Sequence, residues 1–365
     1  MIKILYYFTN YDNMMFQWQQ FHIVDELKTH GCYIDILSPL DYVNIEAANL
    51  GIKACVDKEK YELFMTCLNE EYLQKETLSY IKSKGIPTLL FNPDNLTIPF
   101  NHKKDAPLFD LVWLTSSETE YLFKRWNCKT VFLPYAANPY FLKPDDSKPE
   151  INRIGFIGTP HGSRVARLNT LIEAGLPITI HTRTANSGTT GTKASTKEYL
   201  KKFGNYAKYP IGWKLGYAAV LEKLKKPTLH KDYENVLFED PVPWEEFAAY
   251  NSCYSMMLSF TDARSTGVLK HPVKVINLRN FEIPMSGGLQ LTLYSEELAS
   301  YFANDKEIIM GKTMEECVDK ARFYMRDENA ELRHQMKQAA RKRAESEHTW
   351  YNRFSKIFEI LGIHG

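Results

Sequence analysis

The sequence is short of several things. Its 365 residues carry a formal net charge of only +1, so no whole-chain field draws it toward nucleic acid or an anionic surface. No apolar run approaches the ~20 residues of a membrane span. The six cysteines (Cys32, Cys55, Cys67, Cys128, Cys253, Cys317) include no Cys-x-x-Cys pair, which argues against a zinc site or a disulfide framework. They read as free thiols in a reducing cytoplasm. There is no His-Glu-x-x-His, no Ser-His-Asp arrangement, no Gly-x-Gly-x-x-Gly and no Walker loop, so hydrolase, nicotinamide and P-loop readings lack their signatures. The start, MIKILYYFTNYD, turns polar too soon for a signal-peptide core.

What is present alternates. Apolar runs at Ile2–Phe8, Tyr33–Leu37, Tyr61–Met65, Thr88–Phe91, Leu111–Leu114 and Thr130–Leu133 read as strands, with helical spacing at Phe16–Thr29 and Glu118–Trp126. A Pro- and Asp-rich stretch, Asn138–Glu150, breaks the pattern and reads as a linker. A second series then begins: strands at Arg153–Gly158, Pro177–His181, Val236–Phe238, Tyr254–Leu258, Gly288–Thr292 and Glu307–Ile309. Helices are expected at Gly162–Ala174, Glu245–Asn251, Pro272–Ile283, Met314–Asp327, Ala330–Glu347 and Trp350–Leu361. The expectation is an α/β protein with two doubly wound halves whose strand ends face one cleft. The domains are expected at 1–145 and 151–348, with a last helix in 349–365.

Residues 185–233 break the rhythm and read as a basic insertion. Within 209–226, Trp213, Tyr217, Val220, Leu221 and Leu224 fall on one helical face beside Lys223, Lys225 and Lys226. Such a helix either packs in the protein or lies on an anionic membrane.

Four stretches carry candidate chemistry. GFIGTPHGSR is a strand, a glycine turn at Gly158 and a helix start. It is either a bare turn or an anion site with His161 and Arg164 nearby, and Ser163 is a candidate cap. In TDARSTGVLKHPVKVINLRNFEIPMSGG, Thr266, Lys270, Lys274 and Arg279 suit a diphosphate. The lysines, four apart, are expected to share a helix face. Glu282 there suits two vicinal hydroxyls, and Gly287-Gly288 lets the backbone pass close to a ligand. LFEDPVPWEEF offers Val242 and Pro243 as a surface for a base. In the first half, Asp12 and Asn13 lie in the loop after the first strand. Asp94 and His102 lie after a later one, where a carboxylate can take a proton from a hydroxyl.

RNFEIPMSGGLQLTLYSEEL, the following segment through HTWYNRF, NRIGFIGTPHGSRVARLNTL and FLPYAANPYFLKP together resemble the GT-B glycosyltransferases. They are most similar to the spore-maturation-protein-like subgroup. The resemblance covers about Ile151–Phe354 apart from the insertion and is looser before it. It implies two Rossmann-like domains, a nucleotide-sugar donor held in the second, an acceptor in the first, and a terminal helix, 349–365, packing back on the first. It implies a metal-independent, cytoplasmic hexosyltransferase of polysaccharide biosynthesis, sitting freely or peripherally at the inner face of a membrane. A UDP-sugar is favoured over a GDP-sugar, no other cofactor is implied, and the acceptor is a glycan, a lipid-linked group or a protein rather than nucleic acid. The alternative is a non-catalytic sugar-nucleotide-binding scaffold. Glu282 aligns with the family's ribose-binding glutamate. Eight positions earlier, where retaining members carry another glutamate, stands Lys274.

Overall fold

The computed structural model describes residues 1–10, 14–145, 147–183, 204–225 and 227–364. Asp12 and Asn13, residues 184–203 of the insertion, and Lys226 lie outside the described residues. The chain divides into two compact units, Met1–Asn138 with Thr349–Gly365, and Pro139–His348.

The first unit is built on a six-stranded sheet. Its strands are β1 Lys3–Tyr7, β2 Tyr33–Leu37, β3 Leu63–Thr66, β4 Thr88–Asn92, β5 Leu111–Leu114 and β6 Thr130–Phe132. The order is β2-β1-β3-β4-β5-β6, and every pair is parallel. Strands β3, β4 and β5 are buried along their whole length, as a sheet covered on both faces requires. The helices include α1 Met14–Gln19, α2 Asp25–Thr29, α3 Ile45–Lys58, α4 Lys75–Ser83 and α5 Glu120–Arg125. The sequence pattern leaves α3 unassigned. Its start is fixed by Asn44, whose side chain accepts the Ala47 N–H at 2.8 Å, and it buries Ala48, Ile52 and Val56 at four-residue spacing.

The chain's last helix, Trp350–Leu361, belongs to this unit. Trp350 is fully buried among Trp18, Phe91, Trp113 and Tyr135, with ring centroids 5.8 to 6.4 Å away. Glu26 on α2 accepts the Trp350 and Tyr351 N–H groups at 3.2 and 2.8 Å. Thr349 and Asn352 close a capping box at the same helix start. Burial pushes the Glu26 carboxyl up to about 7, against the pull of these N–H groups. A raised carboxyl favours the fold while protonated, so its contribution is full below about pH 4.5 and is lost as pH rises through 7. The loss is roughly 3 kcal/mol across that window. Melting curves of wild type and Glu26→Gln should coincide near pH 5 and separate by pH 8, with wild type the less stable; parallel curves would refute this.

The second unit carries β7 Ile151–Ile157, β8 Ile178–His181, β9 Val236–Glu239, β10 Tyr254–Leu258, β11 Gln290–Leu293 and β12 Ile309–Gly311. The order β12-β11-β10-β7-β8-β9 is wholly parallel. This is the six-strand Rossmann order, and the order in which strands are added reverses between β7 and β10, the switch point where such sheets bind ligands. The helices include α6 Ser163–Glu173, α7 Pro210–Lys225, α8 Phe247–Cys253, α9 Arg279–Met285, α10 Glu296–Tyr301, α11 Met314–Tyr324 and α12 Ala330–Glu347. Pro139–Glu150 is tied to α12: Arg341 donates to the Leu142 and Pro139 carbonyls, and Arg333 and Lys337 pair with Glu150.

One expected helix is shorter than its pattern. Pro272–Leu278 is not helical, and α9 begins only at Arg279. The segment instead runs alongside residues 261–263, with Ala263 N–H to Val273 O at 2.8 Å and Val275 N–H to Thr261 O at 2.7 Å. Branched Val273, Val275 and Ile276 favour that extended course. Asn277 then stops it, its side chain accepting the Arg279 N–H at 3.0 Å. Pro284 sits inside the last turn of α9 rather than ending it.

Candidate functional site

The loops leaving β7 and β10 meet at the switch point of the second unit. After β7 the chain turns at Gly158 and passes His161 into α6. Ser163 does not cap that helix; its hydroxyl donates to the Arg264 carbonyl at 2.8 Å and accepts the Gly267 N–H at 2.7 Å. Those bonds clamp the β7 loop to the β10 loop. Arg264 takes a left-handed backbone, φ 43°, at the clamp.

Positive charge collects here. Arg164 lies against Gly158 and donates to the Thr159 carbonyl at 3.2 Å. Burial, and then the nearby charge of Arg279, pull the Arg164 guanidinium below its ordinary range. His161 is held below the usual histidine value by partial burial and then by Arg164, with Arg264 adding to it. The Arg279 guanidinium lies 4.3 Å from the centre of the Phe247 ring. Its Nη1 is 2.9 Å from Glu282 Oε2, an ion-pair distance at which the N–H is not aimed along the hydrogen-bond line. Glu282 is 1% exposed, so its carboxylate is covered in this state. Phe247 opens α8 one short 3-10 turn, Trp244–Glu246, after the Pro-Val-Pro turn, and Trp244 packs on it at 5.5 Å. In that turn Val242 is buried and Pro243 exposed.

The structure thus brings Gly158, His161, Arg164, Arg279 and Glu282 together, with the Val242–Pro243 turn reaching them through Phe247. Other expected residues are placed differently. Thr266 is fully buried and its hydroxyl is spent on the Ala263 and Val273 carbonyls, at 2.7 and 3.2 Å. Lys270 is exposed in a loop. Lys274 does not share a helix face with it, because no helix forms there. Instead Lys274 binds Asp262 at 2.7 Å, and Arg167 holds the other oxygen of that carboxylate at 3.0 Å. The pattern pointed to Lys274 alone; the buried Asp262 that orients it, together with Arg264 and Phe247, carried no motif of its own.

The glycine pair is a correction. Gly287 and Gly288 precede β11, at the amino end of the sheet, whereas the arginines lie at the carboxyl ends of β7 and β10. A Cβ on Gly288 would stand 2.4 Å from the Asn251 carbonyl oxygen, and one on Gly287, at φ 74°, 2.9 Å from Pro144. Gly288 makes room for the Asn251 backbone and Gly287 for the Pro144 ring. Gly288→Ala should therefore cost about 1–3 kcal/mol of stability and leave nucleotide affinity unchanged. Calorimetry showing weakened nucleotide binding in a variant that still folds would reverse this assignment.

In the first unit, Asp94 is exposed on the turn after β4. The Tyr135 hydroxyl donates to the Pro93 carbonyl beside it at 2.7 Å. His102 is turned inward, 6% exposed, with Nδ1 3.1 Å from Asp105. A histidine so covered meets no acceptor without rearrangement. Among the described residues no cluster of three or more His, Cys, Asp or Glu side chains gathers to hold a metal ion. No described helix is long and apolar enough to cross a membrane.

Residues 200–359 match the family model described as glycosyl transferase-like. That match covers under half of the chain. Its fold is GT-B, and solved structures are similar over nearly its whole length. One is an α-glucosyltransferase in complex with UDP-glucose and DNA containing an abasic site, with TM-score 0.63, 12% identity, and 99% of each chain covered. A second is a glycosyltransferase from Rickettsia africae ESF-5, with TM-score 0.58, 11% identity, and 99% of this chain and 97% of that one covered. A third is HepE from Anabaena in complex with UDP-glucose, with TM-score 0.54, 11% identity, and 99% and 100% covered. No curated protein sequence matches. The matched residues 200–359 include α7 through α9 and reach into the terminal helix.

Proposed function

We propose that the protein transfers a sugar, of hexose type, from a nucleoside diphosphate to an acceptor hydroxyl, and that it falls in the spore-maturation-protein-like subgroup. The observation that carries this reading is the convergence of Arg164 and Arg279 at the Rossmann switch point, beside a buried glutamate. Arg279's charge adds to burial in disfavouring the charge of Arg164, and a diphosphate between the two guanidiniums supplies a counter-charge. Glu282 is assigned to the ribose hydroxyls, the Val242–Pro243 turn to the base, and His161 to the phosphate side. UDP is the favoured nucleotide, being the one bound in HepE and the α-glucosyltransferase. The diphosphate charge is assigned to arginine, so transfer is expected to persist with chelator present. The acceptor is assigned to the first unit, with Asp94 as the group that takes the hydroxyl proton.

The test is a panel of nucleoside diphosphate sugars read by thermal shift, since a ligand that binds only the folded state raises its apparent stability. A UDP-sugar should raise Tm most. Asp94→Asn should keep that shift and lose transfer by at least about a hundredfold. No shift with any nucleotide sugar would end the donor assignment. A shift without transfer or donor hydrolysis across a broad acceptor set would make the protein a binding scaffold.

A further inference from the structure

Helix α7, Pro210–Lys225, has two faces with different jobs. Its inner face buries Gly212, Leu215, Gly216 and Ala218. On that side Glu222 accepts the Ser265 hydroxyl, which fixes the helix to the β10 loop next to Arg264 and His161. The outer face is apolar and exposed. Trp213 is 56% exposed, Tyr217 58%, Val220 49% and Leu224 75%. Spaced four, three and four residues apart, they form one narrow stripe. A stripe of this kind on a solvated helix costs solubility unless something apolar receives it.

The charges say what receives it. Glu222 is the helix's sole acidic residue, and it is turned inward to Ser265. The exposed charges on the helix are Lys214, Lys223 and Lys225. At the helical repeat, Lys214 and Lys225 fall on one flank of the stripe and Lys223 on the other. An aromatic and aliphatic centre line bordered on both sides by lysines matches the acyl boundary and headgroups of an anionic bilayer. A protein groove that received the stripe would have to offer acidic groups on both rims.

We infer that the outer face of α7 docks the second unit onto an anionic lipid surface. The helix lies in the interface plane, Trp213, Tyr217, Val220 and Leu224 enter the headgroup boundary, and the lysines meet lipid phosphates. Because Glu222 ties the same helix to the β10 loop, docking holds the proposed donor site beside the membrane. Resting on the glycosyltransferase reading, this selects a lipid-linked acceptor among the candidates.

The experiment is vesicle flotation of the full-length protein. Vesicles of phosphatidylcholine alone are compared with vesicles that also contain phosphatidylglycerol, at low and high salt. Binding is expected only with phosphatidylglycerol and should weaken as salt rises. Tyr217→Ser with Leu224→Ser should lower partitioning at least about tenfold. Lys223→Glu with Lys225→Glu should lower it by about fivefold per lysine or more. UDP affinity, measured by calorimetry on the same variants, should not change. No binding to phosphatidylglycerol vesicles, or binding that both double variants retain, overturns the inference. So does a lipid-free dimer that Leu224→Ser dissolves, which would give the face to a second copy. Vesicle binding by a protein that fails to bind UDP would sink the donor assignment and leave the membrane surface standing.

Discussion

Replacing Glu282 with alanine should weaken UDP binding by on the order of a hundredfold to ten-thousandfold. The estimate assumes loss of two charge-assisted hydrogen bonds to a ribose, at about 1.5–3 kcal/mol each. Arg279, whose guanidinium lies beside that carboxylate and over Phe247, would lose its counter-charge as well. Glu282→Gln keeps the shape and one acceptor and should fall between wild type and alanine. The measurement is calorimetric titration with UDP, with thermal melting of each variant alongside. A fall in Tm with unchanged UDP affinity would confine Glu282 to holding Arg279 in place. That outcome has a physical basis, since the carboxylate is nearly fully buried before any donor arrives.

The largest effect on stability is expected at Asp262. Its side chain is fully buried and binds both Arg167 and Lys274. Removing one member of a buried ion cluster leaves the others desolvated and unpaired, which costs about 3–5 kcal/mol. For a unit of this size that lowers Tm by on the order of 10 °C. Lys274→Met should cost far less, because Arg167 still pairs with Asp262 and Lys274 is partly exposed. Melting of Asp262→Ala and Lys274→Met compares them directly. Equal shifts would mean that the cluster's energy resides in the lysine's packing rather than in the buried carboxylate. The contrast also bears on mechanism, because Lys274 stands where retaining relatives of the proposed family carry a glutamate. Here it is engaged with a protein carboxylate and is not free to serve as a simple phosphate ligand.

Much of the fold was legible because parallel strands announce themselves. Leu63–Met65, Leu89–Phe91 and Leu111–Leu114 are unbroken apolar runs, as strands buried on both faces favour. The failures have local causes. Helix α3 mixes alanine, asparagine and glycine with few large apolar residues, so its period is faint, and its cap at Asn44 is the clearer signal. The Pro272–Leu278 segment shows apolar residues at positions a helix would use, but its backbone partners lie at residues 261–263, which pattern alone does not reveal.

By itself the sequence determined the alternation of elements and the unusual basic segment, because each depends on neighbours in the chain. Tertiary structure alone decided which of the charged residues share a space. Arg164 and Arg279 lie more than a hundred residues apart and meet only because β7 and β10 are adjacent in the sheet. Lys274 is claimed by an aspartate twelve positions earlier because the chain folds back beside it. Gly288 is glycine because a carbonyl from residue 251 passes within reach of where its side chain would be. Proximity across a sheet is set by strand order, and strand order is not written in any one stretch of residues.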